Sequence, residues 1–153
     1  MVDRAVQRLT ITASSAECYA VAADLELYPE WASDIEEAVV LQRDAAGAPT
    51  LVRFQAAALG RRASYTLAYN YAGAPDRLEW RLEAGEAFVR LEGSYRFEPI
   101  DDDQPSTEVT YELAVELAIH VPAFVRRRAE DRIMRTALPD LRDRVEDLAV
   151  ADG

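Results

Sequence analysis

The sequence predicts an α+β fold in which a curved antiparallel sheet of about seven strands wraps around one long C-terminal helix. Two observations predict this fold. Residues 35–117 form a series of strand patterns separated by turn signals, and residues 122–150 form one long helical pattern. Because a single helix is too narrow to cover so wide a sheet, we expect a hollow between the two.

Length and charge limit the classes of protein that the chain can belong to. Its 153 residues, half of them hydrophobic, suit one domain over residues 1–153 with a substantial core. The formal net charge is -11, from 28 acidic against 17 basic residues. This charge argues against binding to nucleic acid or to an anionic membrane, because both attract basic proteins.

Several residue types that carry chemistry are scarce or missing. No stretch reaches the roughly 18 consecutive apolar residues of a membrane span, and residues 1–15 lack a signal-peptide core, so we expect no membrane insertion and a cytoplasmic location. Cys18 is the only cysteine, which excludes an internal disulfide and cysteine-based metal sites. The chain contains no lysine, which excludes Schiff-base chemistry.

The first 31 residues predict a strand followed by short helices. Residues 4–13 read as a strand, after which Ser14 and Glu17 have the spacing of a capping box. A short helix should therefore run to about Asp24, with Cys18 on its buried face. The segment LELYPEW that follows contains a proline and is too short for a long helix, so we expect one further helical turn there.

The remaining strands are separated by short turns and alternate between apolar and charged faces. Turn signals fall at residues 45–49, 58–62, 72–76, 83–87 and 100–106, and such short connections favour antiparallel neighbours. The predicted inward residues of the later strands are Tyr65, Leu67, Tyr69, Tyr71, Leu78, Trp80, Leu82, Val89, Leu91, Gly93, Tyr95, Phe97, Val109, Tyr111, Leu113, Val115 and Leu117. One face of the sheet should be dry and the other wet.

The inward aromatic residues are the first candidate ligand contacts. They are Trp31, Phe54, Tyr65, Tyr69, Trp80, Tyr95 and Tyr111. Such a set can stack on a flat ring system, and the alternative is that most of its members are ordinary core. The tyrosines favour a ligand somewhat, because buried hydroxyls require hydrogen-bond partners that a polar ligand or a trapped water could provide.

The C-terminal helix carries the second group of candidates. Pro122 suits its first position, and an apolar stripe follows that includes Met134 and Leu141. At 100° per residue, Arg127 and Glu130 fall in the same sector as this stripe. Either the helix start overhangs the sheet in water, or Arg127 and Glu130 line the opening of the hollow and contact the polar end of a ligand. Met134 of the stripe is a further predicted ligand contact. Pro139 should kink the helix without breaking it.

These segments, in this order, carry a resemblance to a known family. The capped helix, the YPEW turn, the strands with YTLAYNY and LEGSYRFEP, and the helix RRRAEDRIMRTALPDLRDRVE resemble the polyketide cyclase/dehydrase branch of the START-related, helix-grip superfamily. The resemblance spans nearly the whole chain. It implies a sheet wrapped around the long helix, and a cavity between them for a hydrophobic small molecule such as a lipid, quinone or polyketide. Catalytic residues vary within the family, so none is carried over.

No catalytic or cofactor motif stands out from the residues themselves. His120 is the only histidine, which excludes a multi-histidine metal site. A serine triad would have to use this one residue as its base. Gly93 is interpreted as a bulge or bend in a curved strand. The acidic residues between Asp24 and Glu37 match no metal-binding spacing and are interpreted as a solvated surface run. We therefore expect no cofactor and no metal.

Three functions remain open. The first is binding of a hydrophobic, ring-containing small molecule in the internal cavity. The second is a polyketide cyclase or dehydratase that acts on a poly-β-ketone, with tyrosine, arginine or glutamate moving protons. The third is a protein-interaction module with a filled core, which a structure lacking a cavity of a few hundred cubic ångströms would favour. We expect a monomer or homodimer.

Overall fold

A computed structural model of the chain describes residues 3–58, 61–100, 103–118 and 122–152. These residues form one seven-stranded sheet, three α-helices and a short 3-10 turn. In chain order the elements are β1 (Asp3–Ile11), α1 (Ser15–Ala23), the 3-10 turn (Leu25–Leu27), α2 (Tyr28–Trp31), β2 (Ile35–Arg43), β3 (Pro49–Ala58), β4 (Arg61–Asn70), β5 (Arg77–Ala84), β6 (Phe88–Ile100), β7 (Ser106–Leu117) and α3 (Ala123–Asp152).

The sheet has the order β1-β7-β6-β5-β4-β3-β2, and every neighbouring pair is antiparallel. Strands β2 to β7 therefore follow one another as neighbours, as their short connections predict. Strand β1 completes the sheet beside β7, which leaves β1 and β2 as its two edges. The predicted α+β architecture with seven antiparallel strands and a long C-terminal helix is confirmed.

The sheet is curved, and its ladders shift register at several points. Shifts occur in the β2–β3, β4–β5 and β6–β7 ladders, and bulges of this kind bend a strand. The shift between Phe88 and Arg90 changes which side chain faces inward. Phe88 lies in the interior, whereas Val89 is 61% exposed. The prediction that Val89 faces inward is therefore wrong, because strict alternation does not account for a bulge.

The predicted capping box is present at the start of α1. The side chain of Ser14 accepts a hydrogen bond from the backbone N–H of Glu17, and the Glu17 carboxylate accepts one from the N–H of Ser14. This exchange satisfies two backbone donors that the first turn would otherwise leave open. Fixed in this way, α1 buries Cys18 and Ala22 against the sheet.

Helix α3 is continuous for 30 residues and packs its second half against the sheet. Leu138, Leu141 and Val145 are almost fully buried, and each contributes about 1.5–3 kcal/mol by leaving water. The helix runs through Pro139, which confirms that the proline does not break it. Leu148 ends the predicted stripe but is 40% exposed, so the core contact of α3 stops one turn earlier than the sequence predicts.

Candidate functional site

A cavity of about 310 Å³ lies between the inner face of the sheet, the α2 region and the first half of α3. Its volume is at the lower end of the range of roughly 300–1,000 Å³ for small-molecule sites. The cavity thus has room for a compact ring system and is small for a lipid with two acyl chains. A filled core would favour a protein-interaction module, and the described residues form a cavity instead.

The wall of the cavity is largely aromatic. All seven aromatic residues predicted as ligand contacts line it, and we name them the aromatic wall: Trp31, Phe54, Tyr65, Tyr69, Trp80, Tyr95 and Tyr111. Trp80 lies near the centre of this wall. Its ring centroid is 5.3 Å from that of Tyr95, 5.8 Å from that of Tyr111 and 6.1 Å from that of Tyr69. Whether these rings contact a ligand stays a prediction.

Gly93 makes room for the central tryptophan. A Cβ atom at Gly93 would lie 2.6 Å from Cζ2 of Trp80 and 2.6 Å from the backbone oxygen of Glu112. Residues around Gly93 pair in regular register with both β5 and β7. Gly93 therefore does not form a bulge, and the alternative of a bend in the curved strand stays a prediction. The missing side chain lets the indole ring of Trp80 pack directly onto the neighbouring strand.

The tyrosines of the interior fall into two groups. Tyr28 donates a 2.5 Å hydrogen bond to the Ala22 carbonyl, so its hydroxyl is satisfied within the protein. Among the described residues, the hydroxyls of Tyr69, Tyr95 and Tyr111 have no hydrogen-bond partner, although their side chains are at least 91% buried. These three hydroxyls are available to a molecule that occupies the cavity.

Burial fixes the protonation state of the same three hydroxyls. Removal from water raises the pKa of Tyr69, Tyr95 and Tyr111 well above the ordinary value of 10, and neighbouring tyrosines raise the pKa of Tyr69 and Tyr111 further. They are therefore neutral hydrogen-bond donors throughout the physiological pH range. A ligand oxygen that accepts a hydrogen bond suits them better than an anion or a hydrocarbon.

Helix α3 contributes the charged side of the cavity. Arg126 and Glu130 line it from the first half of the helix, and Asp140 lines it from just beyond the midpoint. The Arg126 guanidinium and the Glu130 carboxylate lie 4.0 Å apart and are both more than three-quarters buried. Ile133 and Ala137 complete this face with hydrocarbon.

Two of the predicted helix residues lie elsewhere. Arg127 is exposed and does not line the cavity, because its neighbour Arg126 takes that place. Met134 packs against the hydrophobic core without lining the cavity. Arg127 and Met134 share a helix sector with Leu138, yet only Leu138 is fully buried. A long helix that crosses a curved sheet presents different sides to it along its length, which a single helical phase does not capture.

Contacts between residues 30–34 and α3 close one side of the cavity. The Asp34 carboxylate accepts three hydrogen bonds of 2.7–3.0 Å from Arg132. The backbone N–H and the hydroxyl of Ser33 both donate to Asp140 Oδ2, at 2.8 and 2.7 Å. Sequence reasoning missed Ser33, Asp34 and Asp140, because their pairing joins residues about 100 positions apart.

The acidic run between Asp24 and Glu37 is more than a solvated surface. Besides Asp34, Glu26 pairs with Arg43 and Glu30 pairs with Arg144. Three of its carboxylates therefore fasten this segment to β2 and α3. In the part of the chain that the structure describes, no group of three or more histidine, cysteine, aspartate or glutamate side chains is placed to hold a metal.

Other residues singled out by the sequence lie apart from the cavity. Cys18 is fully buried in the core, and burial raises the pKa of its thiol to about 11, which keeps it protonated and unreactive. His120 lies outside the described residues. None of the described helices has the combination of length and apolar character that crossing a bilayer requires.

A second concavity of about 880 Å³ lies on the outer face of the sheet. Its lining includes Arg4, Asp44, Glu79, Arg81 and Glu112. Charges of both signs are interspersed across this surface, and such a surface is typical of contact with water. The internal cavity, with its aromatic wall, is the better candidate site.

Solved structures with the same fold match nearly the whole chain. A START superfamily protein from Mycobacterium smegmatis has 24% sequence identity and a TM-score of 0.85, with 95% of this chain and 98% of that chain covered. The Zhui aromatase/cyclase from Streptomyces sp. R1128 has 15% identity and a TM-score of 0.82, with 100% and 99% covered. The TTHA0849 protein from Thermus thermophilus has 22% identity and a TM-score of 0.78, with 95% and 99% covered.

The fold and the cavity together define a START-like, helix-grip protein, as the sequence motifs predict. Residues 11–142 match the model of the family described as polyketide cyclase / dehydrase and lipid transport. The chain belongs to this family, which confirms the resemblance drawn from its motifs. Among curated protein sequences, none matches the chain.

Proposed function

We propose that the protein binds one ring-containing hydrophobic small molecule in the internal cavity, and that the ligand carries at least one oxygen that accepts a hydrogen bond. The observation that carries this proposal is the aromatic wall with its three buried tyrosine hydroxyls, which have no partner among the described residues. The rings provide a flat apolar surface, and Tyr69, Tyr95 and Tyr111 provide donors. Family membership supports the same class of ligand.

Fluorene and fluorenone test the proposal, because they are tricyclic molecules that differ in a single carbonyl group. Each would be titrated against protein loaded with the fluorescent probe N-phenyl-1-naphthylamine. We expect both to displace the probe, and fluorenone to bind about fivefold more tightly, since one net hydrogen bond contributes about 1 kcal/mol. Tyr69→Phe, Tyr95→Phe and Tyr111→Phe serve as matched variants, and at least one should remove the preference without weakening fluorene binding.

Native mass spectrometry of the purified protein, followed by extraction, would identify a retained molecule. Absence of probe binding together with absence of a retained ligand would contradict the proposal. Equal affinity for fluorene and fluorenone would contradict the role of the hydroxyls alone.

A cyclase or dehydratase is the second candidate, and the charged side of the cavity favours it. Glu130 and Asp140 face the aromatic wall across the site, where a carboxylate could move a proton to or from a bound ketone. One solved structure with this fold is described as an aromatase/cyclase and another as a di-domain ARO/CYC. If this candidate is right, a poly-β-ketone thioester incubated with the protein should give a changed ring pattern. Glu130→Gln and Asp140→Asn should then slow the reaction more than they weaken binding.

The remaining properties of the protein are proposed on the same basis. We propose a single ligand-binding domain over residues 1–153 that acts in the cytoplasm as a monomer or homodimer, without nucleic acid as a partner. The support is the net charge of -11 and the continuous sheet. Sedimentation of the purified protein would distinguish monomer from dimer.

A further inference from the structure

We infer that the ligand enters and leaves between α3 and residues 30–34, through a seam that three polar contacts hold closed. The seam consists of the contacts Glu30–Arg144, Ser33–Asp140 and Asp34–Arg132. This inference rests on the proposed function, because it concerns the route into the same cavity.

Both sides of the seam also line the cavity. Trp31, Ser33 and Asp34 lie on one side, and Thr136 and Asp140 lie on the other. Of the residues that hold the seam closed, Ser33, Asp34 and Asp140 are therefore part of the cavity wall. Their partner Arg132 and the Glu30–Arg144 pair lie outside it. Separating the two sides by a few ångströms would connect the interior directly with solvent.

The contacts across the seam are easily exchanged for water. The Asp140 carboxylate accepts both hydrogen bonds from Ser33, and the Asp34 carboxylate accepts hydrogen bonds from Nε and Nη2 of Arg132. The side chains of Arg132 and Glu30 are about half exposed. Water can replace such partners, so these contacts hold a defined geometry yet open at small cost.

Two other walls, the sheet and the core side of α3, are closed more firmly. Main-chain hydrogen bonds join every neighbouring pair of strands from β2 to β1. On its core side, α3 packs through Leu138, Leu141 and Val145, which are almost fully buried. Opening either wall would break a ladder or expose hydrocarbon to water. In contrast, β2 is an edge strand, so among the described residues no strand continues the sheet from it toward α3.

A reversible cross-link tests the route. Ser33 Oγ and Asp140 Oδ2 are 2.7 Å apart, so the double variant Ser33→Cys with Asp140→Cys places one thiol on each side of the seam at facing positions. The native Cys18 is fully buried, so we expect the disulfide to form only between the two introduced cysteines. Uptake of N-phenyl-1-naphthylamine would be followed by stopped-flow fluorescence, before and after addition of a reductant. We expect the oxidised form to take up the probe at least about tenfold more slowly, and the reduced form to recover.

A second cross-link on α3 would need a closely facing pair of side chains, so single variants that cannot form the internal disulfide serve as the controls instead. Ser33→Cys and Asp140→Cys each carry one of the introduced thiols, and the same oxidant leaves their seam without a cross-link. Mass spectrometry would confirm the disulfide in the double variant and its absence in the controls. Probe uptake by the oxidised controls should equal that of their reduced forms.

Charge-neutral variants decide the question if the seam cross-link does not form. Asp34→Asn with Asp140→Asn should speed probe exchange several-fold. It should also reduce the acceleration by salt that we expect for the unmodified chain, because salt screens exposed ion pairs and only Glu30–Arg144 then remains across the seam. Glu108→Gln removes an ion pair with Arg8 that is remote from the cavity, and should change neither rate.

The outcomes separate the two proposals. Slow uptake in the locked form, or faster exchange in the neutral variant, supports the seam as the route. Uptake by the locked form at the rate of the control, or unchanged exchange in the neutral variant, would overturn it while leaving cavity binding intact. Failure of the unmodified chain to take up the probe would overturn both.

Discussion

At the scale of single residues, the aromatic wall depends on a side chain that is missing. Trp80 packs against the backbone of β6 because Gly93 has no Cβ atom there. The indole ring in turn contacts Tyr69, Tyr95 and Tyr111. One glycine thus determines the position of the residue around which three of the candidate donors are arranged.

Gly93→Ala should disturb both stability and the cavity. The added methyl group would lie 2.6 Å from Trp80 and 2.6 Å from the Glu112 backbone oxygen, and the backbone has little room to move. We expect the free energy of unfolding to fall by about 1–3 kcal/mol, as in other overpacked cores. Urea denaturation followed by tryptophan fluorescence measures this change. Gly47→Ala is not a neutral control, because Gly47 has a φ of +88°, a backbone conformation that alanine rarely adopts. Val39→Ala, on the half-buried edge strand β2, is the better comparison.

Tyr28→Phe and Tyr95→Phe should have different effects on stability. Tyr28 loses a buried hydrogen bond to the Ala22 carbonyl, which should lower the free energy of unfolding by about 1 kcal/mol. Tyr95 loses a hydroxyl that has no partner among the described residues, so the stability of the unliganded protein should change by less than about 0.5 kcal/mol. Denaturant titrations of both variants would show the difference. A large loss for Tyr95→Phe would mean that its hydroxyl serves the fold and is not available to a ligand.

At the scale of elements, α3 combines two functions in its two halves. The half that begins at Leu138 packs into the core, and the half before it presents Arg126, Glu130 and Ile133 to the cavity. Asp140 is the exception, because it lines the cavity from the second half. Mutations in the two halves should therefore separate effects on stability from effects on binding.

Leu141→Ala should destabilise the protein far more than Leu148→Ala. Leu141 is fully buried, and truncation of such a side chain costs about 2–5 kcal/mol. Leu148 is 40% exposed, so its truncation should cost less than about 1 kcal/mol. Thermal unfolding followed by circular dichroism measures both. Similar losses for the two variants would contradict the position of the core boundary on α3.

At the scale of the whole molecule, the buried tyrosines make stability depend on alkaline pH. Burial raises the pKa of Tyr28, Tyr65, Tyr69, Tyr95 and Tyr111 above 10 in the folded state. The folded protein therefore retains protons that the unfolded chain releases above pH 10. Stability from this source is fully present below pH 10 and is lost as the pH rises toward the folded-state pKa values.

We therefore expect unfolding at alkaline pH to coincide with a cooperative rise in tyrosinate absorbance. Measurement of the free energy of unfolding from neutral pH to above pH 10 tests this expectation. Tyr71 is only half-buried, and its pKa is raised to about 12, so it should contribute less than the fully buried tyrosines. Independent titration of the tyrosines near pH 10 in a folded protein would contradict their burial.

The sequence alone determined the order of elements, the antiparallel sheet and the family. Strand alternation, turn residues and the capping box at Ser14 are local patterns, and local backbone preferences suffice to read them. The same alternation identified five residues of the aromatic wall, Tyr65, Tyr69, Trp80, Tyr95 and Tyr111, whereas Phe54 and Trp31 were added from outside those alternating strands. It failed at Val89, where a bulge reverses the inward face.

Only the tertiary structure decided which side of α3 lines the cavity and what closes it. Arg126 lines the cavity in place of Arg127 because of the way a long helix crosses a curved sheet. A single helical phase, calculated from the sequence, does not include that geometry. The seam joins Ser33 and Asp34 to residues about 100 positions later, and such pairs leave no periodic signal in one sequence. Local patterns therefore determined the elements and the family, whereas the polar groups and the boundary of the site arose only when distant segments met.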